Sequence, residues 1–122
     1  MKFDKSFIPK TIDEAIDCIV NSLHPEDIEN IKKRESGDYH FSIGMFLRNN
    51  WNMWDNATPM SIDFQNRFKL FGHGDDLSGV ILEGVWAKVN NKDVNEVLTN
   101  TANGFRLHWI NEGLDPVTGK ED

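Results

Sequence analysis

The segment from Tyr39 to Trp54, YHFSIGMFLRNNWNMW, places apolar side chains on nearly every side of a helix, and no other stretch narrows the possible folds as much. A helix of that kind belongs inside a domain. It also carries His40, Arg48, Asn49 and Asn50, and a polar group buried without a partner costs about 1–3 kcal/mol or more. The complement is His73-Gly74-Asp75-Asp76-Leu77-Ser78, which offers two carboxylates, an imidazole and a hydroxyl. The two segments are expected to meet as one polar cluster, with Arg48 against Asp75 or Asp76, serving either as a structural lock or as a binding site. A fully buried pair of this type would make Arg48→Ala cost about 3–5 kcal/mol.

Around that cluster the punctuation reads as helices joined by short loops. Residues 1–10 are expected to form an extended arm. Thr11-Ile12-Asp13-Glu14 has the form of a capping box, in which the Thr11 hydroxyl accepts from the Glu14 amide and the Glu14 carboxylate returns to Thr11. Ile12, Ala15, Ile16, Ile19, Val20 and Leu23 then recur at helical spacing until His24-Pro25 stops the run. Pro25 can open a second helix with Ile28 and Ile31 inward, ended by Ser36-Gly37. The central helix is expected over about 38–54, largely buried, and a fourth runs from Met60 to Phe71 after the turn Asp55-Asn56-Ala57-Thr58-Pro59. Gly72-His73-Gly74 breaks the chain, and Asp75 or Asp76 is expected to cap a fifth helix with Leu77, Val80, Ile81, Val85, Trp86 and Val89 inward. Gly79 and Gly84 lie inside it, where glycine costs about 0.5–1 kcal/mol, so a neighbouring helix or a ligand should approach closely there. Asp93 caps the last helix, Gly113 ends it, and residues 114–122 are expected to be a loose tail. With no strand-like alternation and no repeat, the sequence describes a compact all-α single domain of five or six helices.

A chain of 122 residues can bury roughly two thirds of its unfolded surface without a disulfide. Its single cysteine, Cys18, sits in an apolar helical pattern, as an inert buried thiol would in a reducing compartment. Thirteen basic against twenty acidic residues, a net charge of −7, argue against direct nucleic-acid binding, which needs a basic surface. The N-terminus lacks a long apolar core and no run of apolar residues is long enough to span a bilayer, so a soluble cytoplasmic protein without membrane contact is expected. Four tryptophans and eight phenylalanines exceed what a small core easily hides, which points to a contact surface at Phe64, Phe68 or Trp109 and to a homodimer.

Three chemistries fit the polar cluster. His40, His73, Asp75 and Asp76 are possible metal ligands, but without HExxH or cysteine-histidine spacing no metal and no cofactor is expected. His73 with Asp75 or Asp76 could serve a hydrolase, yet no serine or cysteine stands in a nucleophile elbow and the glycines are wrongly spaced for a phosphate loop. Tyr39, His40, Arg48, Asn49, Trp51 and Trp54 offer a nucleotide-like ligand a guanidinium fork, amides and ring faces. The candidate ligand- or partner-binding residues are therefore His40, Arg48, Asn49, Trp51, Trp54, His73, Asp75, Asp76 and Ser78.

The pattern Arg-Asn-x-Trp-x-x-Trp at Arg48 to Trp54, then Asp-Asp-x-Ser at Asp75 to Ser78 after a histidine, resembles a family of small uncharacterised proteins of bacteria and their phages. A Pro-x-x-x-Asp-Glu-Ala-Ile start, supplied by Pro9 and Asp13 to Ile16, belongs to the same pattern, and the likeness spans about residues 9 to 90. The family often has His-Pro before the carboxylate pair, where this chain has His73-Gly74. The resemblance implies that Arg48, Asn49, Trp51, Trp54, Asp75, Asp76 and Ser78 form one unit, and it implies no reaction. The leading expectation is a non-enzymatic accessory or inhibitory factor acting on a protein partner, ahead of a small-ligand binder and then a hydrolase.

Overall fold

The computed structural model describes residues 6–33 and 37–121, without the side chains of 37–42, and contains six helices: α1 (Ile12–Ser22), α2 (Pro25–Lys33), α3 (Gly37–Asn50), α4 (Pro59–Phe68), α5 (Gly74–Val89) and α6 (Val94–Asn111). Among the described residues the only β pairing is an isolated antiparallel bridge between Leu114 and Glu121. No helix among them is long and apolar enough to cross a membrane. The fold is all-α.

The helix starts follow capping chemistry. The Thr11 hydroxyl accepts from the Glu14 amide at 3.1 Å, but the Glu14 carboxylate takes the Lys10 amide at 2.9 Å instead of closing back on Thr11. The first amide of α1, from Ile12, is satisfied by Asp63 of α4 at 2.9 Å, so a helix-end donor ties two helices together. Asp27 accepts from the His24 amide at the start of α2, Thr58 from Ser61 at α4, and Asp93 from Glu96 at α6.

The helix ends account for two boundaries the sequence misplaces. α3 stops at Asn50 and not at Trp54, because Asn52 adopts a left-handed conformation (φ 53°) and the Met53 amide reaches back to the Arg48 carbonyl at 3.1 Å. That is a Schellman ending, and asparagine tolerates its left-handed position better than other non-glycine residues. α4 stops at Phe68, where Lys69 is left-handed (φ 55°) and Arg106 of α6 donates to the carbonyls of Phe68 and Lys69. A guanidinium placed there satisfies orphan acceptors and the negative end of the helix together. Gly113 (φ 80°) ends α6 in the same Schellman manner, with the Leu114 amide on the Trp109 carbonyl at 3.0 Å.

The buried centre is α5, not α3. Ten of the sixteen residues of α5 are buried, and it packs against α6, α1, α3 and α2, whereas α3 packs chiefly on α5. Among its described residues, 43–50, α3 buries Gly44 and Leu47 and leaves Met45, Asn49 and Asn50 exposed. The glycines of α5 allow its central position. A Cβ at Gly84 would overlap Ile16 Cδ1 and come within 3.0 Å of Leu98 Cδ2, and one at Gly79 would meet Phe105 at 2.9 Å. Helices, then, are what approach. Phe64 and Phe68 lie in the core, contrary to the contact surface expected of them, because they form the inner face of α4.

Residues 114–121 are not loose. The Phe71 amide donates to the Pro116 carbonyl at 2.9 Å, the Asp115 amide to Lys120 at 2.8 Å, and Gly119 (φ 73°) lies against the Phe71 ring. The segment folds over Phe71 and holds it beside α6. Gly104 has the opposite surroundings, since a Cβ there would meet nothing within 4 Å. Gly104→Ala is therefore expected to stabilise the protein by about 0.5–1 kcal/mol through helix propensity alone, read as a higher urea midpoint with an unchanged slope.

Candidate functional site

The start of α5 organises the site. His73 is its N-cap, with Nδ1 accepting from the Asp75 amide at 3.1 Å, so the cap is the imidazole and not either aspartate. An accepting Nδ1 leaves Nε2 as the ring's donor. Gly74 has no room for a side chain, because a Cβ would come within 2.6 Å of the Trp54 ring. That packing holds Trp54 in place although its residue is 55% exposed.

Rings continue outward from His73. Its centroid lies 5.7 Å from Trp54, 6.2 Å from Phe71 and 5.3 Å from Trp109, and Trp109 is 5.0 Å from Phe71 and 4.8 Å from His108. These spacings are those of offset and edge-to-face aromatic pairs. Trp54, His73, Trp109 and His108 form one row of successive ring contacts, and Phe71 touches both His73 and Trp109.

The two aspartates have different surroundings. Asp75 is at the surface, 62% exposed, with Arg48 Nε 3.5 Å from its Oδ1. Arg48 Nη1 also donates to Ser78 Oγ at 2.9 Å, and that hydroxyl donates to the Asp75 carbonyl at 3.1 Å. Gly44 leaves the space for this guanidinium, since a Cβ would stand 2.9 Å from Nη1. The expected contact of Arg48 with the acid pair is present. It is a boundary pair and not a buried one, and the large penalty of stranding a buried charge does not apply to it.

Asp76 is 4% exposed. Its Oδ2 accepts from Trp109 Nε1 at 2.6 Å, and no described residue donates to Oδ1. Burial pushes its pKa above the ordinary value of 3.8; the Trp109 hydrogen bond and His73 pull it back, Asp75 adds to the rise, and His108 opposes it. For an acid whose folded pKa lies above the unfolded one, the stabilisation is complete below the unfolded value and is lost as pH rises through the folded value. Asp76→Asn removes that loss. In urea unfolding stepped from pH 4 to pH 7, the stability of the variant relative to the wild type is expected to climb; a flat or falling difference would contradict the sign.

Over Asp76 lies a cleft of about 550 Å³ between the start of α5 and α6, lined by His73, Asp75, Asp76, Phe105, His108 and Trp109, with Thr101 and Gly104 at its edge. Its size is that of a small-ligand site. A second cleft of about 450 Å³ contains Arg67, Lys69 and Arg106, but Arg67 is held by Asp13 and Asn95, and Arg106 by the end of α4. Among the described residues no group of three histidine, cysteine, aspartate or glutamate side chains could hold a metal ion.

Of the residues singled out in the sequence, Arg48, Trp54, His73, Asp75, Asp76 and Ser78 come together. Trp51 is in the core, Asn49 is exposed at the end of α3, and the side chain of His40 lies outside the described residues. Sequence reasoning missed Phe71, Phe105 and His108 as site residues and gave Trp109 only a surface role. The four-residue spacing of Phe105 and Trp109 fits one face of a helix, and nothing in it names Asp76 as the partner of the indole.

A family model described as a domain of unknown function, DUF6794, matches residues 8–89. The match covers α1 to α5 and stops at Val89, so Trp109 and His108 are added to the site by a helix beyond it. No curated protein matches the chain. No solved structure matches it. Since the model spans well over half of the sequence, the chain belongs to the DUF6794 family of unknown function.

Proposed function

We propose that this is a non-enzymatic binding protein, an accessory or inhibitory factor of bacterial or phage origin acting in the cytoplasm, which engages another protein through the ring row and the cleft beside it. The observation that carries the reading is Trp54, an exposed ring fixed by Gly74 and joined through His73 to Trp109 and His108. A preordered tryptophan next to a pocket contributes large contact area at small entropic cost, and such residues dominate binding energy at interfaces.

Other readings have less support. For a hydrolase, His73 Nδ1 is occupied by the cap, Ser78 is held by Arg48 and the Asp75 carbonyl, and Asp76 Oδ2 by Trp109. For a nucleotide-like ligand, Arg48 turns to Ser78 and Asp75 while Asn49 is exposed, so among the described residues these two do not converge on a ligand. A homodimer stands as the alternative partner, favoured by Leu107 and Ile110 exposed three residues apart on α6.

The test is a photo-crosslinking amino acid placed at position 54 in the host cell, with position 29 on the exposed side of α2 as control. A discrete adduct from position 54 alone is expected. An adduct of two identical chains, with a dimer mass in light scattering, would assign the row to a second copy. No adduct from position 54 or from position 108 would overturn the reading.

A further inference from the structure

We propose that the cleft over Asp76 receives a guanidinium group, presented by an arginine side chain of the partner. The inference rests on the binding reading above and names what the site recognises. Buried carboxylates are normally paired with a cation or fully hydrogen-bonded. Asp76 has one donor, the Trp109 indole, on Oδ2, while its Oδ1 takes no hydrogen bond from a described residue and keeps the small solvent access that this side chain has. Among the described residues no lysine or arginine stands within ion-pair distance of it, and Arg48 is held by Asp75 and Ser78. The space that a cation would occupy is the cleft itself.

The walls select among cations. Trp109, Phe105, His108 and His73 line the cleft beside the carboxylate with aromatic rings. A guanidinium stacks flat on such faces while its N–H groups fork onto a carboxylate, and it gives up its hydration more readily than a compact ammonium. Asp75, at the mouth and 62% exposed, is a second acceptor for the outer N–H groups. A net charge of −7 attracts a basic partner from a distance. The exposed Trp54 at the other end of the row gives the residues flanking such an arginine an apolar place to rest.

The experiment uses the full chain labelled with ¹⁵N and follows the Trp109 indole N–H signal, assigned by its disappearance in Trp109→Phe. The probe is N-acetyl-arginine N-methylamide, compared with its neutral citrulline counterpart and with agmatine, a free guanidine compound. The arginine derivative is expected to move the signal saturably, and the citrulline derivative to bind about tenfold more weakly or worse, the factor that corresponds to one charge-assisted contact. Asp76→Asn should abolish the shift. Gly104→Leu supplies a second variant that keeps the fold, since it fills open space at the edge of the cleft, and it too should abolish the shift. Equal response to citrulline, no saturable response to arginine, or a response that persists in Gly104→Leu would overturn the proposal. Agmatine binding far more tightly than the arginine derivative would assign the cleft to a free small molecule and overturn the partner side chain. An intact arginine response with no crosslink from position 54 removes the protein partner alone, and the reverse removes only the guanidinium.

Discussion

Trp109→Ala is expected to lower stability by about 3 kcal/mol, near the low end for removing a packed tryptophan because the residue is only partly buried. Two contributions combine. The indole fills the space among Phe71, His73 and His108, and it gives Asp76 its hydrogen bond. Trp109→Phe keeps most of the ring and loses the donor, leaving a buried carboxylate without a partner at a cost of about 1–3 kcal/mol. Chemical denaturation of both variants separates the contributions. Equal stability of Trp109→Phe and the wild type would show that the 2.6 Å hydrogen bond contributes nothing to folding.

Gly84→Leu has the second large effect, a loss of about 3 kcal/mol or more. α5 lies between α1 and α6, and at Gly84 the side chains of Ile16 and Leu98 already occupy the place of a Cβ. Both are fully packed core residues, so relief requires the helices to separate. Overpacking of this type costs about 1–3 kcal/mol where neighbours can yield and more where they cannot. Gly84→Ala should show part of the same loss, opposite in sign to the gain expected at Gly104. Since helix propensity favours alanine at both positions, a gain at Gly84 would mean that the close approach of α1 is not tight.

Much of this fold is legible in the sequence because local chemistry decides it. Thr11, Pro25, Asp93 and Gly113 mark helix boundaries by capping and left-handed geometry, and the apolar spacing of α1, α5 and α6 gives their inner faces. Gly79 and Gly84 of α5 correctly imply close neighbours. What sequence periodicity does not contain is how many neighbours a helix has. The Tyr39 to Trp54 segment is more uniformly apolar than most of the chain, yet α3 packs chiefly on one helix and exposes Met45, while α5, with Asp75, Asp76 and Ser78 in its first turns, takes the centre. The candidate site divides in the same way. Arg48, Asp75 and Ser78 belong together because a guanidinium in an apolar segment needs an acid and a hydroxyl. The Asp76–Trp109 contact joins residues thirty-three apart, and only the packing of α6 on α5 brings them together.

On the proposed binding role, Asp76 is retained at some expense to the fold. This is tested most directly by equilibrium urea unfolding of Asp76→Asn beside the wild type at pH 7. Asparagine keeps an acceptor for Trp109 and removes the buried charge, so the variant is expected to be at least as stable as the wild type. A loss of about 1–3 kcal/mol would contradict the account and make Asp76 a structural acceptor for Trp109, with the cleft above it a by-product of packing.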